Sequence, residues 1–134
     1  MSCVLDASAM IAFLRGEPGG RKVLDALTTH DGQCLAHVLN LCEVYYDFYR
    51  SGGPDQAESA IADLIEAGVS EENRLSAASW RAAGALKAVH RRVSLADCFA
   101  IALANERQVP ILTADHHEFD PLVNVGACHV EFIR

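Results

Sequence analysis

The sequence predicts an α/β fold, a three-layer α/β/α sandwich built around a mainly parallel sheet. Short apolar runs alternate with segments whose apolar residues recur at helical spacing, from one end of the 134-residue chain to the other. No internal repeat, low-complexity tract or long linker interrupts this alternation. A hydrophobic content of 51% is enough for one packed core, so we expect a single domain over residues 1–134.

Apolar periodicity and glycine or proline breaks set the elements expected in the first half of the chain. Residues 4–5 form a short buried strand that ends at Asp6, and Asp6 or Ser8 caps the helix that follows. The other segments expected here are a helix near residues 21–29, a strand at 33–36, a helix at 38–50 and a helix running from about Ala57 to Gly68.

The second half continues the alternation with a short strand near Val69 and a helix around residues 76–90. Ser94 and Asp97 form an S-x-x-D pattern that starts the next helix. A buried strand at residues 110–113 then leads into Asp115, and residues 129–132 form a closing strand.

Composition narrows the class of protein. The net charge of −7, from 18 acidic and 11 basic residues, argues against a broad basic face for nucleic acid but is compatible with an acidic, metal-neutralised centre. No apolar run approaches the ~20 residues that cross a bilayer, and no secretory pattern opens the chain. Five cysteines without a CxxC pair favour reduced thiols, so we expect a cytoplasmic protein.

Four acidic residues occupy positions from which they can converge. Asp6 and Asp115 each follow a predicted strand directly, while Glu43 and Asp97 lie near the starts of predicted helices. Functional groups of open parallel sheets collect beyond the carboxyl ends of the strands, where such helices also begin. We therefore expect these carboxylates to meet in one cleft.

Carboxylates gathered in this way repel one another, and each raises the pKa of the others. A hard divalent cation removes that penalty and accepts oxygen ligands, and Mg²⁺ keeps coordination sites open for a phosphate. Two such ions ~4 Å apart are suited to phosphodiester hydrolysis. The pattern therefore indicates metal-dependent phosphodiester chemistry.

Each acid also has a local interpretation that requires no metal. Asp6 can cap a helix, Asp97 can be half of a capping box, Glu43 can be a solvated helix residue, and Asp115 can end a strand in a turn. These interpretations predict acids at helix starts anywhere, and do not explain why successive βα units carry them at the same edge.

Four segments resemble the motifs of PIN domains, in particular the VapC-type toxins of bacterial toxin–antitoxin pairs. They are residues 4–12 (VLDASAMIA), 40–44 (NLCEV), 94–104 (SLADCFAIALA) and 112–115 (LTAD), the last followed by Phe119. The segments span nearly the whole chain in the order and at the spacing of the family. One departure is His116-His117, where the family more often has a single basic residue.

The resemblance implies a PIN-like nuclease domain with Asp6, Glu43, Asp97 and Asp115 as its catalytic, metal-binding cluster. Ser8 and Thr113 stand where hydroxyls support that cluster in the family. The resemblance further implies Mg²⁺- or Mn²⁺-dependent cleavage of RNA, a cognate antitoxin as partner, and a homodimer. Two other functions are weighed against it: a non-catalytic PIN-like module that binds RNA or protein, and a haloacid-dehalogenase-like phosphatase, which normally has a second Asp at the position of Ser8.

Other residues are weaker candidates for contacts with a substrate or partner. Six histidines lack metal-ligand spacing, and His116-His117 is interpreted as a polar turn, with contact to a phosphate as the alternative. Asp120 is interpreted as a surface acid, with a position near the cleft as the alternative. The basic residues best placed to contact phosphates, with solvated helix ends as the alternative, are Arg15, Lys87, Arg91 and Arg92.

Overall fold

The computed structural model of the chain describes residues 2–29 and 33–134. Within these residues five strands form one sheet with the order β3-β2-β1-β4-β5, and every pair of neighbours is parallel. The strands are β1 (Cys3–Leu5), β2 (Cys34–His37), β3 (Val69–Glu72), β4 (Ile111–Thr113) and β5 (Val130–Phe132). The predicted three-layer α/β/α class is confirmed, and the sheet is entirely parallel.

Helices connect the strands and cover both faces of the sheet. They are α1 (Ala7–Arg15), α2 (Gly20–Thr29), α3 (Val38–Gly52), α4 (Pro54–Ala67), α5 (Ala77–Val89), α6 (Leu95–Arg107) and α7 (His116–Asn124). Because successive side chains of a strand point to opposite faces, Cys3 and Leu5 pack with α1–α4, whereas Val4 packs with α5–α7. The central strand is therefore buried on both sides, which explains why its sequence is apolar throughout.

Helix α7 was not predicted from the sequence. The sequence pattern favours a polar turn at residues 116–117, and Pro121 argues against a helix because it has no N–H to donate. The helix forms because Asp115 caps it, and because Phe119 and Leu122 bury their side chains at helical spacing. The other predicted helices and strands are confirmed, with ends that differ by a few residues.

The cysteines are free thiols in this fold. Cys3, Cys34 and Cys98 are buried, whereas Cys42 is exposed and Cys128 is half-buried. Among the described residues, no helix has both the length and the apolar character that crossing a membrane demands.

Candidate metal centre

Asp6 lies at the carboxyl end of the sheet, where β1 and β4 run side by side. Leu5 is paired with Leu112 across the two strands. The residues that follow them, Asp6 and Thr113, therefore lie side by side. The Thr113 hydroxyl donates to Asp6 Oδ2 over 2.5 Å, and the Ser8 hydroxyl donates to Oδ1 over 2.7 Å. Asp6 also caps α1 by accepting the Ala9 N–H over 2.9 Å. The side chain is thus buried and fixed in one orientation.

Asp97 is held in the first turn of α6, on the sheet face that α6 covers. The Ser94 hydroxyl caps this helix by accepting the Asp97 N–H over 3.1 Å, as the S-x-x-D pattern predicts. The Asp97 carboxylate is buried, and Oδ1 accepts a hydrogen bond from Asn40 Nδ2 over 3.3 Å. Asn40 is fully buried in the first turn of α3, one turn before Glu43.

Asp115 and Glu118 complete the cluster from the start of α7. Asp115 Oδ1 accepts the Glu118 N–H over 3.0 Å, and the Asp115 N–H donates to the Thr113 hydroxyl over 3.0 Å. Carboxylate oxygens of Asp97, Asp115 and Glu118 all lie within 4.8 Å of one another. The arrangement can present three oxygen ligands to a single cation.

Burial and repulsion between charges raise the pKa values of Asp6, Glu43, Asp97 and Glu118. Burial raises the pKa of Asp6 to about 6, against the lowering effect of its hydrogen bonds, and it raises the pKa of Asp97 to about 6 with help from the charges of Asp6 and Glu43. Burial raises the pKa of Glu118 to about 8, and so does the side-chain hydrogen bond between the Glu118 and Asp97 carboxyl groups. The pKa of Glu43 is also raised, by burial and by the charge of Glu118. These couplings show that the five carboxyl groups share one electrostatic environment.

Some carboxylate oxygens of the cluster have no hydrogen-bond partner within the part of the protein that the structure describes. Glu43 Oε1 and Glu118 Oε2 are buried, and no donor of the protein reaches either atom. Among the described residues, no Lys or Arg forms an ion pair with any of the five acids. Buried carboxylate oxygens without a compensating charge are costly, and an all-oxygen donor set suits a hard cation such as Mg²⁺ or Mn²⁺. The residues present therefore fit a divalent metal ion.

Of the four acids predicted from the sequence, Asp97 and Asp115 lie with Glu118 in the group whose oxygens are within 4.8 Å of one another. Asp6 and Glu43 are linked to that group through their charges, which raise the pKa of Asp97. Two residues next to these acids, Asn40 and Glu118, do not stand out in the sequence. Asp115-x-x-Glu118 is the same capping pattern that marked the start of α6, so it was an available signal. Asn40 lies three residues before Glu43 and therefore on the same side of α3. Asp120 is exposed and pairs with His116 at 2.9 Å, as expected for a surface acid.

The His116 side chain contacts three neighbouring groups of the protein. Its ring stacks on Phe132 with 3.8 Å between centroids, and its nitrogens hydrogen-bond Asp120 and the Arg134 carbonyl. These bonds raise the pKa of His116. The His116 imidazole therefore joins α7 to the end of the chain.

A separate cavity of about 200 Å³ lies farther along the same edge of the sheet, beside the ends of β2 and β3. It is lined by His37, Phe99, Glu72 and Arg74 among others, and by none of the five clustered acids. Glu72 is neutralised there by Arg74 and Arg107. The cavity is thus chemically distinct from the acidic cluster.

Comparison of the sequence with models of protein families identifies the type of domain that contains this cluster. The family model of the PIN domain matches residues 3–122, which include all five acids. The chain belongs to the PIN domain family. Among curated proteins, none matches the sequence significantly.

Solved structures with the same fold as this PIN domain include VapBC proteins and a VapC toxin. The DNA-bound VapBC of Salmonella typhimurium has a TM-score of 0.73 at 16% identity, covering 100% of this chain and 99% of that chain. VapBC2 of Rickettsia felis, bound to a promoter DNA fragment, has a TM-score of 0.72 at 16% identity and covers 98% of each chain. The sarcin–ricin loop cleaving toxin VapC20 of Mycobacterium tuberculosis has a TM-score of 0.65 at 17% identity, with 90% and 95% coverage.

Proposed function

We propose that residues 1–134 form a single PIN-like nuclease domain that hydrolyses RNA phosphodiester bonds with Mg²⁺ or Mn²⁺. Asp6, Glu43, Asp97 and Asp115 hold the metal and form the catalytic cluster, and Glu118, beside Asp97 and Asp115, is a supporting ligand. The observation that carries this proposal is a group of buried and half-buried carboxylates with no positive partner among the described residues, in which Glu43 and Glu118 each leave a buried oxygen without a donor. Such a group is stable as an anion only when a cation binds it.

The residues of the chain orient the ligands and keep them in place. A divalent cation, when bound, supplies Lewis-acid chemistry that activates water and stabilises charge on the phosphate. Ser8 and Thr113 fix the Asp6 carboxylate, and Asn40 fixes that of Asp97. Water attack in line with the departing 3′ oxygen gives 5′-phosphate and 3′-hydroxyl ends, so no covalent intermediate on the protein is needed.

We propose further that the protein is the toxin of a toxin–antitoxin pair. Support comes from its PIN-domain sequence and from the fold it shares with toxins solved in VapBC complexes. In this proposal the toxin is a cytoplasmic homodimer, and a cognate antitoxin blocks its activity. Purified antitoxin added at saturation should abolish RNA cleavage, and unchanged cleavage would remove this part of the proposal.

Cleavage of RNA by purified protein tests the nuclease assignment. We expect cleavage to stop on chelation, to return with Mg²⁺ or Mn²⁺, and to be absent in Asp97→Asn with its far-UV circular dichroism unchanged. Asp63→Asn is the matched control, since Asp63 is an exposed acid on α4. Cleavage that survives chelation, or full activity in Asp97→Asn, would contradict the assignment. RNA binding without cleavage in the presence of metal would favour a non-catalytic PIN-like module instead.

A further inference from the structure

The basic residues of this acidic chain are unevenly distributed. Residues 73–96 contain no Asp or Glu and carry five of the eleven Lys and Arg residues, in a chain whose net charge is −7. The five are Arg74, Arg81, Lys87, Arg91 and Arg92. The segment comprises α5 and the turn that leads into α6, the helix that carries Asp97.

Most Lys and Arg side chains of the protein already have partners. All eleven lie within the described ranges, and eight of them bind protein groups. The pairs are Arg15 with Asp47, Arg21 with Asp25, Lys22 with the Phe132 carbonyl, Arg50 with Asp47, Arg74 and Arg107 with Glu72, Lys87 with two backbone carbonyls, and Arg134 with Glu17. The three whose side chains form no hydrogen bond or ion pair with the described residues are Arg81, Arg91 and Arg92. Arg15 and Lys87, two of the phosphate contacts considered from the sequence, are therefore occupied.

Lys87 builds the turn that presents Arg91 and Arg92. Its ammonium donates to the Arg91 carbonyl over 2.8 Å and to the Val93 carbonyl over 2.7 Å. Buried Val93 anchors the turn in the core, and the next residue, Ser94, donates its N–H to Glu118 Oε1 over 3.2 Å. The exposed residues Arg92 and Arg91 thus lie two and three positions before Ser94, whose backbone N–H contacts the acidic cluster.

A second feature of the same segment is an exposed aromatic residue. The Trp80 side chain is 49% exposed on α5, and the Arg81 guanidinium lies 4.8 Å from the centroid of its ring. Arg81 lies eight positions before Val89, the last residue of α5, which is roughly 12 Å along the helix axis at ~1.5 Å per residue. An aromatic ring beside unpaired arginines is the arrangement that binds single-stranded nucleic acid, through base stacking and phosphate contacts.

We propose that α5 and the turn at residues 90–93 bind the single-stranded RNA on which the acidic cluster acts. Arg91 and Arg92 contact phosphates next to the scissile bond, and Trp80 stacks on an unpaired base farther along the strand. The inference rests on the proposed ribonuclease function and adds the binding surface to it. An electrostatic argument supports the proposal. The carboxylates of the cluster repel the phosphates of RNA, and the arginines without an acidic partner among the described residues lie in this segment.

Binding of a fluorescein-labelled single-stranded RNA, followed by anisotropy in Mg²⁺, tests the arginines. Asp97→Asn serves as the background so that the probe stays intact. Adding Arg91→Gln and Arg92→Gln together should weaken binding about tenfold or more, and lower the salt slope of log K by about 1.4, at ~0.7 per phosphate contact. Arg21→Gln with Arg50→Gln removes the same charge from exposed arginines that have acidic partners, and should change affinity less than twofold.

The aromatic contact is tested by Trp80→Leu, with Tyr46→Leu on α3 as the exposed aromatic control. Trp80→Leu should weaken RNA binding several-fold without changing the salt slope, because stacking involves no counterion release. In the wild-type background both sets of changes should raise KM for RNA cleavage and leave kcat nearly constant.

Failure of this proposal and failure of the proposed function give different results. If unmodified protein neither binds nor cleaves RNA, the ribonuclease function itself is wrong. If RNA is bound and cleaved, but the Arg91 and Arg92 changes weaken binding no more than the control pair, the binding surface is overturned and the nuclease stands. If Trp80→Leu alters the sedimentation of the protein while RNA affinity is kept, α5 contacts another copy of the chain, and the stacking contact is overturned.

Discussion

At the scale of single residues, Asp6 shows that a local role and a role in the site are compatible. One carboxylate oxygen caps α1 through the Ala9 N–H, while the other accepts the Thr113 hydroxyl. The capping interpretation drawn from the sequence is therefore correct, yet it does not compete with membership of the cluster. Asp97 and Asp115 likewise belong to capped helix starts, because the N-terminal ends of helices favour negative charge.

Replacing Thr113 with valine tests how far the cluster depends on its hydroxyl. Thr113→Val removes a donor to Asp6 and the acceptor for the Asp115 backbone N–H, so the Asp6 carboxylate is held less firmly and the start of α7 loses a contact. We expect a loss of about 1–3 kcal/mol in the free energy of unfolding, and a fall of roughly 10–100-fold in RNA cleavage. Thr28→Val is the control, since its exposed hydroxyl bonds only to carbonyls of its own helix. Equal effects of the two changes on cleavage would argue against a supporting role for Thr113.

Glu118, the acid that the sequence analysis missed, gives a second prediction at this scale. Glu118→Gln keeps the size of the side chain but removes a charge next to Asp97 and Asp115. We expect Mn²⁺ affinity, measured by calorimetry, to fall by roughly 10–100-fold because a supporting ligand is lost. Glu71→Gln, an exposed acid on β3, should leave the affinity unchanged. Wild-type affinity in Glu118→Gln would exclude Glu118 from the metal centre.

At the scale of elements, the contact between α1 and α2 requires a residue without a side chain. A Cβ at Gly20 would lie 2.6 Å from the Ala12 carbonyl oxygen, because the first turn of α2 packs directly on α1. Gly84, in contrast, lies in the interior of α5, where a Cβ would meet nothing within 4 Å. Close packing of the two helices thus requires glycine at position 20, whereas the space around Gly84 admits a side chain.

Alanine substitutions at these glycines should have opposite effects on stability. Gly20→Ala forces α1 and α2 apart and should lower the free energy of unfolding by about 1–3 kcal/mol. Gly84→Ala should raise it by up to about 1 kcal/mol, because alanine favours the helix and meets no clash. Urea unfolding of both variants measures the difference. A stabilised Gly20→Ala protein would show that the two helices do not pack as closely as described.

At the scale of the whole molecule, the acidic cluster makes stability depend on pH and metal together. The folded pKa values of Asp6 and Asp97 are raised to about 6, and that of Glu118 to about 8, so the folded state holds these protons more tightly than the unfolded chain. This contribution is complete at low pH and is lost as pH rises through the folded pKa values. A bound cation stabilises the charged forms and opposes that loss.

Melting temperatures across pH test this coupling. We expect the metal-free protein to lose stability between about pH 5 and pH 8, and the increase in Tm caused by Mg²⁺ or Mn²⁺ to be largest at the alkaline end. The variant Asp97→Asn should show a smaller pH dependence and a smaller metal effect. A metal-free Tm that rises from pH 5 to pH 8, with no response to metal, would show that the carboxylates are not held together in solution.

Most of the fold was accessible from sequence because its signals are local. Apolar runs define the strands, glycine and proline mark the breaks, and the S-x-x-D pattern places the start of α6 where the structure has it. Helix α7 was missed because Pro121 is an unfavourable local signal, which the burial of Phe119 and Leu122 outweighs. Burial of this kind depends on the remainder of the fold and has no local signature.

Local sequence patterns were enough to predict the α/β class, the order of the elements other than α7, and the four acids placed after strands or at helix starts. The tertiary structure decided which further groups join them, namely Glu118 through the cap of α7 and Asn40 through a hydrogen bond across 57 positions of the chain. It also decided which arginines are unpaired, since ion pairs such as Arg15 with Asp47 link separate helices. The physical reason is that propensity and periodicity act over a few residues, whereas electrostatic and hydrogen-bond partners are chosen by distance in space.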